Sequence, residues 1–110
     1  MTTPVQPDTL EEMLALRDYC YAACEQGSAA EARIAKTVFD WLGNILRSMD
    51  VETILKDGKF QPGAQHIVGK VPTDSPEQDL VIKSTIRPGY RLRERLIRAQ
   101  EVVVYGYEAE

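Results

Sequence analysis

The chain has 110 residues, 44% of them hydrophobic and 27% charged, with a net charge of −4. That balance is one of a folded globular chain and excludes a disordered one; the longest strongly apolar run, Val102 to Tyr105, is far too short for a helical membrane span. An acidic total also argues against general affinity for nucleic acid.

Residues 1–7 carry two prolines and no periodic pattern, and read as an irregular lead. They lack both the basic and the apolar regions of a signal peptide, which makes the cytoplasm the expected compartment. Asp8 or Thr9 is then expected to cap a helix running to about Gln26, with Glu11 and Glu12 favourably placed against its N-terminal dipole. Leu10, Met13, Leu14, Cys20, Tyr21 and Cys24 share one broad face, which Arg17 interrupts, and Gly27 ends the helix.

Ser28-Ala29-Ala30-Glu31 is a capping box, in which serine oxygen and glutamate satisfy orphan amides reciprocally. The second helix runs to about Met49. Ala35, Val38, Leu42, Ile45 and Met49 recur at 3-4-3-4 spacing, the seam of a bundle. Ile34 and Trp41 widen the stripe on one side, Phe39 and Leu46 on the other. Such an arc is too wide for one partner helix, and a lone hairpin would leave part of it in water. Two hairpins paired as a symmetric four-helix bundle would bury it, with Ile34, Val38, Trp41, Leu42, Ile45 and Met49 at the homodimer interface.

After Met49 the period changes. Val51–Leu55, Gln65–Val71, Leu80–Arg87, Tyr90–Arg95 and Val102–Tyr107 read as short strands, separated by an Asp57-Gly58 turn and by breakers at Pro62-Gly63 and Pro72–Pro76. Helices first and strands afterwards is an α+β order. Pro88-Gly89 reads as a type II turn with a positive φ at Gly89, leading into a strand where Arg91, Arg93 and Arg95 share one face. Residues 87–98 hold five arginines against the single acid Glu94, a basic hairpin suited to an acidic partner surface.

No constellation for catalysis emerges. Phosphate-binding glycine loops are absent, and His66 has no nucleophile motif to serve. Cys20 and Cys24, spaced i, i+4, read as packing residues, since one histidine and two cysteines do not complete a zinc site. The chain is expected to be no enzyme and to need no cofactor or metal.

Phe60-Gln61-Pro62, Val68, Gly89-Tyr90, Leu92, Arg95, Ile97-Arg98, Val102 and Val104 fall in one colinear order over about half the chain. That order resembles the signature of the GrpE family, the nucleotide exchange factors of DnaK-type chaperones, F-D-P-x-x-H-x-A-V followed by G-Y-x-L-x-x-R-x-I-R-x-A-x-V-x-V. The resemblance implies a dimer built from a two-helix hairpin (residues 8–50) and a small all-β domain (residues 51–110) reaching the chaperone's ATPase domain, where it promotes ADP release. By matched position, Arg95 and Val104 are the implied chaperone contacts, with Arg98 and Ile86 beside them and Arg91 as a rim charge. The chain is similar to a divergent, N-terminally shortened member: Ile34 stands at a glycine position, Asp50-Val51 replaces Gly-Val, Gln61 replaces the aspartate of F-D-P, and the histidine position falls on Gln65, one residue before His66. Two other readings compete with exchange, a dimeric adaptor without it and a nucleic-acid module using the arginine hairpin.

Overall fold

A computed structural model of the chain describes residues 7–108. Two helices are followed by six short strands in two sheets, the expected α+β order, and the chain divides into a helical unit ending at Ser48 and a strand unit beginning at Met49. The expected irregular lead lies outside the described residues except for Pro7, which already begins a helix.

In the helical unit, α1 (Pro7–Gln26) and α2 (Ala29–Ser48) are joined by Gly27 and Ser28. With the helix starting at Pro7, Asp8 and Thr9, the expected caps, fall inside its first turn. At α2 the Ser28 oxygen accepts from the Glu31 amide at 3.2 Å and donates to the Glu31 carboxylate at 2.8 Å. The capping box is therefore closed through the serine hydroxyl, where the reciprocal bond was expected from its backbone N–H.

The helices pack through Leu14, Arg17 and Cys20 on one side and Ala35, Leu42, Gly43 and Leu46 on the other. Arg17 does not interrupt the buried face as its charge suggested; at 4% exposure it is part of it. Its guanidinium carbon lies 3.8 Å from the centroid of the Phe39 ring, and its Nε donates to the Phe39 carbonyl oxygen at 3.1 Å. Gly43 makes the room: a β-carbon there would stand 3.2 Å from the guanidinium carbon. A planar, stacked guanidinium keeps its donors satisfied inside the seam, where a lysine ammonium would not. Tyr21 closes the cluster, its ring centroid 5.8 Å from that of Phe39.

In the strand unit, β1 (Val51–Ile54), β4 (Gly89–Leu92) and β5 (Arg95–Arg98) form an antiparallel sheet with β4 at its centre. The other sheet is centred on β6 (Gln100–Tyr107), which pairs parallel to β2 (Gln65–Thr73) and antiparallel to β3 (Ile82–Arg87). Ile82, Val102 and Val104 are buried together, with Phe60 and Ile67 against them. Gln100 is in phase with Val102 and Val104 on β6, and like them it is wholly buried.

Two expectations about the arginine segment are corrected. Gly89 has no positive φ; it is the first residue of β4, where a β-carbon would collide with the backbone N of Gln100 and lie 2.8 Å from the Ala99 carbonyl carbon. Close approach of another backbone, not turn geometry, requires glycine there. Nor is there one strand from Tyr90 to Arg95. The chain reverses at Arg93-Glu94, with Arg93 at φ 55°, so that Arg95 pairs with Leu92 and Arg91 with Leu96. Residues paired across a ladder share a face, so Arg91 and Arg95 point to opposite faces of the sheet.

Candidate functional site

The β4–β5 hairpin presents the candidate site. Arg95 opens β5 and is exposed, and neither it nor Arg91 makes an ion pair or side-chain hydrogen bond among the described residues. Arg91 is half-buried, with Glu52 opposite on β1 and the exposed Leu96 opposite on β5. Arg93, at the tip, pairs with Asp50 at 3.3 Å, and its backbone N–H donates to the Asp50 carbonyl at the same distance. Asp50 is itself at φ 64°, the left-handed position that the glycine of the family's Gly-Val would occupy without strain.

Arg98 is engaged inward. Its Nε donates to the Pro88 carbonyl at 3.1 Å, and its guanidinium carbon is 5.0 Å from the centroid of the wholly buried Tyr90 ring. Arg87 pairs with Glu101 at 3.1 Å. Ile86 is exposed, as a contact residue would be. Val104 is not: it has no exposed surface and packs with Ile82 and Val102. Its implied part as a direct contact is therefore corrected, because a partner could touch it only by opening the sheet.

Behind the hairpin is a buried amide pair that the sequence reading passed over. The Gln100 carbonyl accepts from the Lys56 N–H at 3.0 Å and from the Gln65 amide at 3.0 Å, while its own amide donates to the Lys56 carbonyl at 3.1 Å and to the Thr85 hydroxyl at 2.7 Å. Gln65 accepts in turn from the Gln61 N–H at 2.7 Å. These two side chains hold the 56–61 segment to the central strands, and burial with every polar atom bonded makes them strong structural determinants. Gln65, standing at the motif's histidine position, is buried; His66 is exposed. The alternation Gln100, Val102, Val104 was the signal that would have revealed the first of them.

In the helical unit, Ile34, Val38, Trp41 and Ile45 run along one side of α2 at i, i+4, i+7 and i+11. Ile34 and Trp41 are 68% and 67% exposed, Ile45 is exposed and Val38 half-buried. Leu42 is turned to the seam with α1, and Met49 lies past the end of α2, half-buried. Among the described residues no group of histidine, cysteine and acidic side chains is arranged to hold a metal ion. Burial, and secondarily the neighbouring Cys24, pushes the Cys20 thiol above its ordinary pKa, the direction of an inert packing cysteine. Among the described residues no helix is long and apolar enough to cross a membrane.

The sequence model of the GrpE family matches residues 7–106. Protein GrpE of Fusobacterium nucleatum subsp. nucleatum is 33% identical over 63 residues, covering 57% of this chain and 31% of that relative. The match thus spans less than a third of the relative's length.

Proposed function

Because the chain belongs to the GrpE family, we propose that it is a co-chaperone whose strand unit binds the ATPase domain of a DnaK-type chaperone and accelerates ADP release. The single observation that carries this reading is the exposed Arg95, free of intramolecular ion pairs among the described residues and standing at the motif's contact position. An arginine fork that spends none of its donors internally is available for bidentate recognition of carboxylates and carbonyls.

The chain need not touch nucleotide to act. If it binds the ADP-free conformation of the chaperone more tightly than the ADP-bound one, ADP affinity falls by that ratio, with about 1.4 kcal/mol of differential binding for each tenfold. By the same linkage, nucleotide rebinding weakens the complex and frees the factor, so no bond chemistry is asked of it.

The acting species is proposed to be a homodimer. Ile34, Trp41 and Ile45 are an apolar stripe that a monomer would leave in water. Leu16 on α1 is exposed too, and at about 100° per residue it lies the same way round from the buried seam as Ile34 and Trp41. In an antiparallel hairpin this puts all of them on one side, a face broad enough for a second hairpin to cover.

Replacing Arg95 with alanine tests the reading directly. Release of labelled ADP from a DnaK-type ATPase domain should need roughly ten- to a hundredfold more of the variant than of wild type, as for loss of a desolvated bidentate contact. Equal potency of variant and wild type would refute the assignment. The burial of Val104, which removes one implied contact, favours the adaptor as the second reading. Its mark in the same assay is a wild-type chain that binds the chaperone without accelerating release.

A further inference from the structure

Both connections between the β4–β5 hairpin and the β2–β6–β3 sheet are single residues. Pro88 is all that separates β3 from β4, and Ala99 all that separates β5 from β6. The arginine hairpin therefore leaves the β2–β6–β3 sheet on two adjacent strands of chain, and its direction depends on what ties those two together. Arg98 ties them: its Nε hydrogen bond to the Pro88 carbonyl spans the base from the last residue of β5 to the β3–β4 connection, and its guanidinium lies over Tyr90 on the opposing strand. The strands are pressed together there, because Gly89 leaves no space for a β-carbon against Ala99 and Gln100. Gln100, next along, is anchored to Lys56 and Thr85.

We infer that Arg98 is a positioning residue, a clamp at the base of the β4–β5 hairpin that fixes where Arg95 is presented, and not a docking contact in its own right. The role follows from geometry. Arg95 and Arg98 are the first and last residues of β5, so the clamp acts on the same four-residue strand that carries the exposed fork. A bond at the base restricts rotation of the whole hairpin, and preorganisation of this kind raises affinity by removing the cost of ordering the contact on binding. The Nε–H is already committed to the Pro88 carbonyl and the guanidinium lies against Tyr90, so a partner docking on Arg98 would compete with both interactions. The effect on Arg95 rests on the docking reading above; the clamp itself does not.

Arg98→Lys is the informative change, keeping the charge while removing the Nε–H and the planar stack. Amide hydrogen exchange of the full chain provides a readout independent of any chaperone. Residues 89–98 should exchange roughly tenfold faster in the variant, with β2 and β6 unchanged. Unchanged protection of residues 89–98 would overturn the inference, as would loosening of the whole strand unit, which would make Arg98 a general stability determinant. Rates of ADP release from a DnaK-type ATPase domain, for wild type, Arg98→Lys, Arg95→Ala and the double variant, complete the test. Arg98→Lys should weaken the wild type roughly three- to tenfold and have less than about a twofold effect once Arg95 is alanine. Equal losses in both backgrounds would make Arg98 a contact and overturn the positioning role. A wild type that releases no ADP would defeat the exchange reading alone, leaving the clamp to the hydrogen-exchange result.

Discussion

Alanine at position 89 is expected to destabilise the strand unit by about 2 kcal/mol. The added methyl would collide with the backbone N of Gln100 and lie 2.8 Å from the Ala99 carbonyl carbon and 2.9 Å from the Arg98 carbonyl oxygen. All three are backbone atoms, two of them at the single-residue crossing between sheets, so no side-chain rotation relieves the contact. Overpacking of this kind costs up to ~3 kcal/mol, and the lower entropy of alanine in the unfolded chain offsets up to ~1 kcal/mol of it. With a urea slope of about 1 kcal/mol/M, the midpoint should fall by about 2 M. Asparagine at the same position separates the two possible reasons for glycine. At a positive φ, asparagine is the best-tolerated replacement and would outperform alanine. Where the obstacle is space, the larger side chain does no better. The strand unit should be followed by NMR signals of the buried Val102 and Val104, at one protein concentration, since Trp41 reports on the helical unit. A Gly89→Ala midpoint within about 0.3 M of wild type, or asparagine clearly more stable than alanine, would refute the close-approach argument.

Ile45→Glu should disperse the proposed dimer, seen as a halved mass by sedimentation at micromolar concentration; a wild type already monomeric there would remove the basis for the interface. Asp50→Gly should be neutral or stabilising by up to ~1 kcal/mol, because it relieves an L-residue at φ 64° and forfeits only an exposed ion pair with Arg93. A thermal melt showing more than about 1 kcal/mol of destabilisation would mean that the Asp50–Arg93 pair matters more than its exposure allows. Gln100→Leu should cost about 2–4 kcal/mol, since it takes the acceptor from the Lys56 N–H and one of two acceptors from the buried Gln65 amide. Chemical denaturation within about 1 kcal/mol of wild type would show that water replaces those bonds.

The order of elements was readable from local pattern alone. Apolar recurrence at helical spacing marked α2, Ser28 and Glu31 marked its start, and period-two runs between breakers marked β1, β2, β3 and β6 near their observed bounds while running β4 and β5 together as one strand. These signals are local: each depends on residues within about a turn or a strand of one another, so no knowledge of the fold is needed to use them. The colinear motif carried the family as well, because its spacing is a property of the chain and not of its packing. The apolar face of α2 was legible as a whole, but its division was not. That Leu42 and Leu46 turn to α1 while Ile34 and Trp41 remain exposed depends on how far the helix is rotated against its neighbour.

What only the tertiary structure decided is every property set by a non-local neighbour. Arg17 looks like a charge on an apolar face until Phe39 and Gly43 are brought to it. Val104 looks like a surface contact until β2 and β3 flank β6, and Gln100 looks like an unremarkable polar residue until Lys56, Gln65 and Thr85 converge on its amide. The arginines of the hairpin show the same limit most plainly. Residue types and i, i+2 spacing suggested one basic strand face, yet a reversal at Arg93-Glu94 sends Arg91 and Arg95 to opposite faces and leaves Arg98 bonded to the backbone. Side-chain chemistry is written residue by residue, but exposure, and with it the choice between clamp and contact, is decided by which distant segments the fold places alongside.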